Sequence, residues 1–245
     1  MNQSTFKILE NRNLAEKVFF MRLEGDTSTV TAPGQFVNIR IDGLYLRRPI
    51  SVCDKDEKTI AIIYKTVGKG TLAMSLMQEG DELDILTGLG NGYDLSKAGE
   101  RPVLLGGGAG VPPMFFLTKE LIKLGKEVTV ILGFNTESEV FFEEEFNQLG
   151  TETIVTTVDG SYGRKGFVTD ALADMGYSFY YACGPEPMLR SVYKTGTTDG
   201  QLSFERRMGC GFGACMGCTC KTITGYKRIC KEGPVMNREE IIWED

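Results

Sequence analysis

The chain has 245 residues, a net charge of −6 and an apolar content of 42%. This length exceeds one typical domain, and the acidic balance excludes a nucleic-acid partner that is held by a basic excess. Histidine is absent, which removes His-based acid–base catalysis, the Ser–His triad and most zinc enzymes, whereas electron and hydride transfer do not require it. No signal-peptide pattern and no long apolar stretch is visible, so we expect a cytoplasmic protein without a membrane span.

Residues 1–97 have the pattern of a small antiparallel β-barrel. Short runs of alternating apolar and polar residues occur at 17–23, 35–41 and 59–65, separated by turn residues. A single short helix is predicted at 71–78. Many short strands with one helix are typical of such a barrel.

Two segments of this barrel have residues that suit a pyrophosphate. An Arg contributes charge and a Ser contributes a hydrogen bond, whereas glycines at a helix start let backbone N–H groups approach an anion. The alternative for the first segment is an exposed Arg at the end of a strand. Together, the two segments favour FAD. The residues are Arg48, Pro49, Ile50 and Ser51 in the first segment, and Gly70 and Thr71 in the second.

Residues 98–202 change to alternating strands and helices. This order predicts an α/β nucleotide-binding domain with a parallel sheet. The predicted strands are 102–105, 127–134, 153–158 and 178–182, and the predicted helices are 114–124, 141–149, 168–175 and one from 188.

Two glycine-containing turns follow strands of this sheet and are predicted to bind NAD. The first opens a helix, as a dinucleotide-binding loop does, although it is not a strict G-x-G-x-x-G and a tight βα turn is the alternative. The second lies at another strand end, where ligands of open α/β sheets bind. The residues are Gly106, Gly107, Gly108 and Gly110 in the first turn, and Cys183, Gly184 and Pro185 in the second. Cys183 itself is interpreted as a small buried residue.

The loop after the second predicted strand is acidic. It contains Glu137 and Glu139, whereas a 2′-phosphate needs Arg or Lys nearby. The sequence therefore predicts NAD rather than NADP.

Five of the seven cysteines lie between positions 210 and 230. Cys210, Cys215, Cys218 and Cys230 have the C-x4-C-x2-C…C spacing of plant-type [2Fe–2S] ligands. A zinc site is the alternative, because C-x2-C is common in both. Cys220 is too close to Cys218 to be a comfortable ligand. Residues 203–245 have too few apolar residues for a core, so we expect a cluster domain that the metal organises.

The order of barrel, nucleotide domain and cysteine-rich tail resembles the ferredoxin reductase superfamily. Within it, the chain is most similar to the electron-transfer subunits of type B dihydroorotate dehydrogenases. Ile50 favours this family, since many reductases have Tyr there. Segment 87–92 and Arg206 depart from the usual pattern. The matching segments are 48–51, 70–71, 106–113, 159–163, 183–188 and 205–208.

The resemblance implies FAD, one [2Fe–2S] cluster and NAD as cofactors. It adds Ile63, Tyr64 and Lys65 to the FAD site, with Tyr64 facing either the flavin or the core. The implied partner is an FMN-containing catalytic subunit that oxidises dihydroorotate in pyrimidine biosynthesis, in a heterotetramer of two subunits of each kind. Electrons are expected to pass through the cluster and FAD to NAD+.

Two other functions fit parts of the pattern. One is a subunit of a related flavin and iron–sulfur oxidoreductase of the sulfide dehydrogenase or ferredoxin:NADP reductase type. The other is a zinc-bearing binding module on an inactive reductase fold. An absorption spectrum separates the zinc module from the other two, because flavin and iron–sulfur centres are coloured.

Overall fold

The computed structural model describes residues 1–243, and the N-terminal part of the chain forms a closed six-stranded antiparallel barrel. Its strands are ordered β1-β2-β5-β4-β3-β6, and one helix, α1, follows β5. The predicted barrel is therefore confirmed. Its elements are β1 Asn2–Ala15, β2 Val18–Glu24, β3 Phe36–Ile39, β4 Arg48–Lys55, β5 Thr59–Lys65, α1 Lys69–Ser75 and β6 Glu82–Leu89.

Alternation along the strands fills the barrel with side chains such as Met21, Val37 and Ile62, all fully buried. The sequence did not reveal β1, although it is the longest strand with 14 residues. Only Phe6 and Ile8 of β1 are buried, so its alternation is confined to a short part of the strand. Helix α1 begins two residues earlier than predicted, at Lys69 rather than at Thr71.

The second part is a seven-stranded sheet in the order β10-β9-β8-β7-β11-β12-β15, in which β15 Val235–Asn237 comes from the cysteine-rich tail. All neighbouring strands are parallel except β12 and β15, which confirms the predicted parallel sheet. The strands and helices up to position 203 are β7 Val103–Gly107, α2 Val111–Lys123, β8 Thr129–Phe134, α3 Glu143–Gln148, β9 Glu152–Thr157, β10 Arg164–Lys165, α4 Val168–Leu172, β11 Tyr180–Cys183, α5 Glu186–Thr195 and β12 Gly200–Ser203. Short 3-10 turns lie at Leu95–Lys97, Gly108–Gly110, Glu137–Glu139 and Arg238–Glu240.

Helices cover both faces of this sheet, so its central strands are apolar throughout. Leu104 and Val130 pack on one side with Leu117 of α2. Leu105 and Ile131 pack on the other side in a different cluster. The carboxyl ends of these parallel strands form the edge that faces the barrel.

The cysteine-rich tail contains strands β13 Thr219–Thr222, β14 Gly225–Arg228 and β15 Val235–Asn237. The tail was expected to lack a core, but it contributes buried residues to one. Phe204, Ile229 and Met236 are buried in one cluster with Phe36 and Leu89 of the barrel. Strand β15 also pairs with β12 and so extends the sheet. The tail therefore packs on both preceding parts of the chain.

Asn91, in the segment that departs from the usual pattern, ties the tail to the end of the barrel. Its side-chain amide donates to the carbonyl oxygens of Glu232 (3.2 Å) and Val235 (2.8 Å), and its oxygen accepts from the Val235 N–H (3.0 Å). No helix within residues 1–243 combines the length and the apolar character that crossing a bilayer requires.

Candidate cofactor sites and cysteine centre

The two pyrophosphate segments of the barrel meet in space. Arg48 begins β4, and its guanidinium lies across the backbone of Gly70, where a Cβ would be only 2.0 Å from Arg48 Nε. Arg47, its neighbour, is held by Asp84 through an ion pair of 2.8 Å. Arg48 is therefore the arginine placed beside the glycine loop, and Gly70 provides the space that it occupies. This cradle fits an anionic group such as a pyrophosphate.

Thr71 has a different environment from the one expected at a helix start. It is the third residue of α1, and its buried hydroxyl accepts hydrogen bonds from the N–H groups of Val67 (3.0 Å) and Gly68 (3.3 Å). The side chain therefore fixes the shape of the loop. The space around the Cα of Gly68 is open.

The end of β5 brings Ile63, Tyr64 and Lys65 to the boundary between barrel and sheet. The Tyr64 hydroxyl donates to Asn11 Oδ1 (3.0 Å), and its ring stacks on Phe19 with centroids 5.8 Å apart. Burial raises the pKa of Tyr64. Tyr64 is thus a barrel-core residue that also borders the cleft.

A cleft of about 600 Å³ separates the end of β5 from the carboxyl edge of the sheet. This volume is in the range of small-molecule and cofactor sites. Its lining is mostly apolar. The lining includes Ile63, Tyr64 and Lys65 from the barrel, and Gly107, Gly108, Phe134, Glu139, Phe141, Pro185 and Met188 from the sheet.

The glycine-rich loop packs tightly against the turn that follows β11. A Cβ on Gly110 would be 2.1 Å from the carbonyl oxygen of Cys183, and one on Gly107 would be 2.3 Å from Met188 Sδ. Gly108 has a φ of +50° and open space around it. Helix α2 begins directly afterwards at Val111, with prolines in its first turn, where their missing N–H groups are harmless. The two predicted NAD turns are therefore neighbours at one edge of the sheet.

Cys183 is 2% exposed, which fits its interpretation as a small buried residue. Burial, together with the charge of Glu205, raises the pKa of its thiol to about 12. Tyr93 packs beside it and donates its hydroxyl to the carbonyl oxygen of Ala182 (3.2 Å).

The two glutamates of the acidic loop lie in different environments. Glu139 lines the cleft and forms an ion pair of 2.6 Å with Lys65, and the Asn135 amide donates to its other oxygen (2.8 Å). The Lys65 ammonium and the Asn135 amide lower the pKa of Glu139. Glu137 lies outside the cleft lining, and its N–H donates to Ser161 Oγ (2.8 Å). Glu139 is therefore the carboxylate of this loop that faces the cleft.

The four predicted ligand cysteines are organised as two pairs. The N–H of Cys210 donates to Cys215 Sγ (3.5 Å), and that of Cys215 donates to Cys210 Sγ (3.5 Å). In the same way, the N–H of Cys230 donates to Cys218 Sγ (3.4 Å). Among residues 1–243, no three Cys, Asp or Glu side chains are close enough to hold a single ion. Two pairs of thiols fit a cluster with two irons, each of which takes two protein ligands.

Backbone N–H groups surround the first pair. Burial opposes ionisation of the Cys210 thiol, but the N–H groups of Cys215, Phe212 and Ala214 lower its pKa to about 6. Gly211 (φ +78°) and Gly213 (φ +92°) give the loop the left-handed turns that a concave set of N–H groups requires. The loop is thus shaped to hold thiolates. Burial and the neighbouring Cys218 thiol raise the pKa of Cys230 to about 12, so this position favours a neutral thiol until a metal displaces its proton.

The Cys220 thiol, which was not expected to be a ligand, contacts Met236 Sδ at 3.9 Å. It lies on β13, and burial raises its pKa. This contact directs Cys220 toward the sheet.

Two side chains that hold the cysteine loop were not predicted from the sequence. Asn38 of β3 donates from Nδ2 to the carbonyl oxygen of Cys210 (3.1 Å), and Arg228 donates to the carbonyl oxygen of Gly213 (2.5 Å) while it pairs with Glu232. Asn38 could have been noticed as the polar residue in the otherwise apolar run Phe36–Ile39. No motif indicated Arg228.

Two family models match the chain. Residues 205–242 match the iron–sulfur cluster binding domain of dihydroorotate dehydrogenase B, and residues 104–194 match an oxidoreductase NAD-binding domain. The first match covers all four predicted ligands and favours iron over zinc.

Curated relatives match over nearly their full length. The chain is 41% identical over 256 residues to the electron transfer subunit of dihydroorotate dehydrogenase B (NAD+) from Geobacillus sp. (strain WCH70), with 99% of each chain covered. It is 46% identical over 242 residues to the subunit of the same name from Fusobacterium nucleatum, with 92% of this chain and 93% of the relative covered. A solved structure of an NADH-dependent reduced ferredoxin-NADP oxidoreductase is 29% identical, with a TM-score of 0.89 and coverage of 98% and 90%.

Proposed function

Since the chain belongs to the family of dihydroorotate dehydrogenase B electron transfer subunits, we propose that it carries electrons from a dihydroorotate-oxidising catalytic subunit to NAD+ in pyrimidine biosynthesis. Its cofactors are FAD and a [2Fe–2S] cluster, and it is an NAD-linked oxidoreductase subunit. When bound, FAD supplies the exchange between single electrons and the electron pair that NAD+ accepts. The residues of the chain would bind and position these groups.

The observation that supports this proposal best is the position of the cysteine loop on the barrel. Asn38, which donates to Cys210, is paired across β3 and β4 with Pro49, in the middle of the FAD segment. The Cys210 carbonyl therefore contacts the strand next to the residues assigned to FAD. A short path of this kind is what single-electron transfer between cluster and flavin requires.

In this proposal the FAD site lies in residues 1–97. Arg48 binds the pyrophosphate by charge and Ser51 by a hydrogen bond, with Pro49 and Ile50 shaping the strand between them. Gly70 leaves room for the Arg48 side chain, and Thr71 fixes the loop around it. Ile63, Tyr64 and Lys65 form one wall of the cleft and would border the flavin.

NAD+ binds at the carboxyl edge of the sheet within residues 98–202. Gly107 and Gly108, which line the cleft, would present backbone to its pyrophosphate, whereas Gly106 and Gly110 let the loop pack closely on α2 and on the turn after β11. Pro185 lines the nicotinamide side of the cleft, with Cys183 and Gly184 directly before it in the chain. No side chain is required as an acid or base, and the lining of the cleft is mostly apolar. Glu139 is neutralised by Lys65 within the cleft, so the expected preference for NADH over NADPH rests on the relatives, whose name specifies NAD(+).

The cluster is held by Cys210, Cys215, Cys218 and Cys230 in the segment 203–245. The N–H groups around Cys210 stabilise its thiolate, and the Arg228–Glu232 pair fixes the loop at Gly213. These contacts orient the ligands before metal binds.

The catalytic partner docks beside this loop. Apolar side chains stand exposed on the tail, among them Phe212 (43%), Met216 (53%), Ile223 (63%) and Tyr226 (72%). Aromatic residues and Met are enriched at protein interfaces. We infer that the partner contains FMN, that two subunits of each kind assemble, and that the complex is cytoplasmic.

Co-expression with the FMN-containing catalytic subunit tests the proposal. Dihydroorotate-dependent reduction of NAD+ is measured for the complex and for Cys215→Ala, a change at an exposed ligand that leaves the core intact. Cys220→Ala is the matched control. The proposal predicts that Cys215→Ala loses this activity but keeps NADH oxidation by an artificial acceptor, whereas Cys220→Ala keeps both. Full dihydroorotate-dependent activity in Cys215→Ala would contradict it.

A second candidate is a subunit of a related flavin and iron–sulfur NAD(P)H oxidoreductase. The observation in its favour is the TM-score of 0.89 to the NADH-dependent reduced ferredoxin-NADP oxidoreductase structure. The two candidates differ in the electron donor. A complex that is reduced by ferredoxin and not by dihydroorotate would support this second one.

A further inference from the structure

Asn38 occupies an unusual position for a polar residue. It lies on β3, is 1% exposed, and points outward from the barrel toward the tail, on the same side as Phe36. Its Nδ2 donates to the carbonyl oxygen of Cys210 at 3.1 Å. No donor among residues 1–243 reaches its Oδ1. A buried polar group with one unmet acceptor destabilises a protein, so its presence calls for a specific role.

The hydrogen bond to Cys210 fixes a peptide plane. In a trans peptide the C=O and the N–H point in opposite directions. Because the carbonyl oxygen of Cys210 points at Asn38, the N–H of Gly211 points away from the barrel. The position of this peptide also depends on Gly211, since a Cβ there would be 2.2 Å from Asn38 Nδ2.

This peptide is the first in the loop whose N–H groups surround Cys210 Sγ. The N–H of Ala214 donates to that sulfur at 3.2 Å and the N–H of Cys215 at 3.5 Å. Donors aimed at cluster sulfurs favour the reduced, more negative state and so raise the reduction potential. A rotated first peptide would turn its carbonyl oxygen toward the sulfurs and disturb the donors that follow.

We propose that Asn38 is a positioning residue that sets the reduction potential of the cluster by anchoring the peptide between Cys210 and Gly211 from the flavin barrel. The inference rests on the cluster assigned under the proposed function. It gives the barrel a direct influence on the electronic environment of the cluster, through one hydrogen bond.

A purely structural role predicts something different. If Asn38 only docked the tail, its loss would act like the loss of Asn91, which donates to two tail carbonyls and accepts from one tail N–H. Both changes would loosen the tail, and neither would alter the cluster specifically. Comparing the loss of Asn38 with the loss of Asn91 therefore distinguishes an effect on the docking of the tail from an effect on the reduction potential of the cluster.

The test uses the full chain with both cofactors, purified anaerobically, as wild type, Asn38→Leu and Asn91→Leu. Leu has nearly the shape of Asn. The substitution removes one side-chain hydrogen bond, from Nδ2 to the Cys210 carbonyl, because Oδ1 made none, so the fold should be preserved. Asn38→Ala serves if Leu does not fit. Iron and sulfide content, the EPR spectrum of the reduced cluster and its midpoint potential are measured for each.

The expected result is full iron content in Asn38→Leu, a changed EPR spectrum and a cluster that is about tenfold harder to reduce, which is about 59 mV for one electron. Asn91→Leu should unfold at a lower temperature with an unchanged potential. An unchanged potential and spectrum in Asn38→Leu, or the same shift in Asn91→Leu, would overturn the inference. Wild-type protein without iron would instead overturn the proposed function and this inference with it.

Discussion

A methyl group at Gly110 tests the contact between the glycine-rich loop and the turn after β11. The Cβ of alanine would lie 2.1 Å from the carbonyl oxygen and 2.3 Å from the carbonyl carbon of Cys183. Both are backbone atoms, so no side-chain rotation relieves the clash. The two turns must separate by roughly 1.3 Å, the difference between 2.1 Å and an ordinary contact of 3.4 Å.

Since these turns are assigned to NAD+, the separation displaces the nicotinamide from its position for electron transfer. A misplacement of about 1 Å costs on the order of 100-fold in rate, or about 2.7 kcal/mol. The FAD segments of the barrel and the cysteine loop do not take part in this contact, so the FAD and iron contents should be unchanged.

The assay is NADH-dependent reduction of ferricyanide by Gly110→Ala, with FAD and iron measured on the same sample. Gly176→Ala is the control, because a Cβ at Gly176 has no atom within 4 Å. Turnover of Gly110→Ala within twofold of the wild type would refute the assignment of these turns to NAD+.

Three other substitutions give separate expectations. Arg48→Ala should weaken FAD binding by roughly 10- to 150-fold, because a charged hydrogen bond is lost. Arg40 is exposed, so Arg40→Ala should leave FAD binding unchanged, and titration of the apoprotein with FAD, followed by fluorescence, measures both. Ile229→Ala should lower the free energy of unfolding by about 2–5 kcal/mol, because this side chain is fully buried where tail and barrel meet, and an unchanged urea midpoint would contradict that packing. The Lys65 ammonium holds the pKa of Glu139 in the folded protein below its ordinary value of 4.5. The ionised carboxylate therefore stabilises the fold fully above pH 4.5, and this stabilisation is lost as the pH falls through the pKa of the folded state. The stability difference between wild type and Glu139→Gln should therefore be present at neutral pH and vanish in acid, and a difference that is independent of pH in thermal unfolding would count against the ion pair.

Local patterns predicted the parts of the molecule that local chemistry determines. The spacing of Cys210, Cys215 and Cys218 indicated a ligand loop, and a chain with that spacing and several left-handed glycines does fold around its sulfurs. The apolar strands β7, β8 and β11 were predicted because strands buried on both faces are apolar throughout. The two segments that contain Arg48 and Gly70 were each visible, and the barrel brings them together.

Contacts between distant parts of the chain were not predictable in this way. Asn38 and Cys210 are 172 positions apart, and no pattern near either residue reports the other. Strand β15 was missed because three residues are too few to show alternation, and its pairing with β12 gives the tail a place on the sheet. The same pairing explains how a segment with few apolar residues has a core, since Phe204 and Met236 share one with barrel residues.

The central claim is that the cysteine pairs bind a two-iron cluster that relays electrons to a flavin on the barrel. The most direct measurement is the iron and acid-labile sulfide content of anaerobically purified protein, with FAD determined in the same sample. The account predicts about two irons and about two sulfides per chain that carries FAD. A folded, FAD-containing chain with neither iron nor sulfide would contradict it.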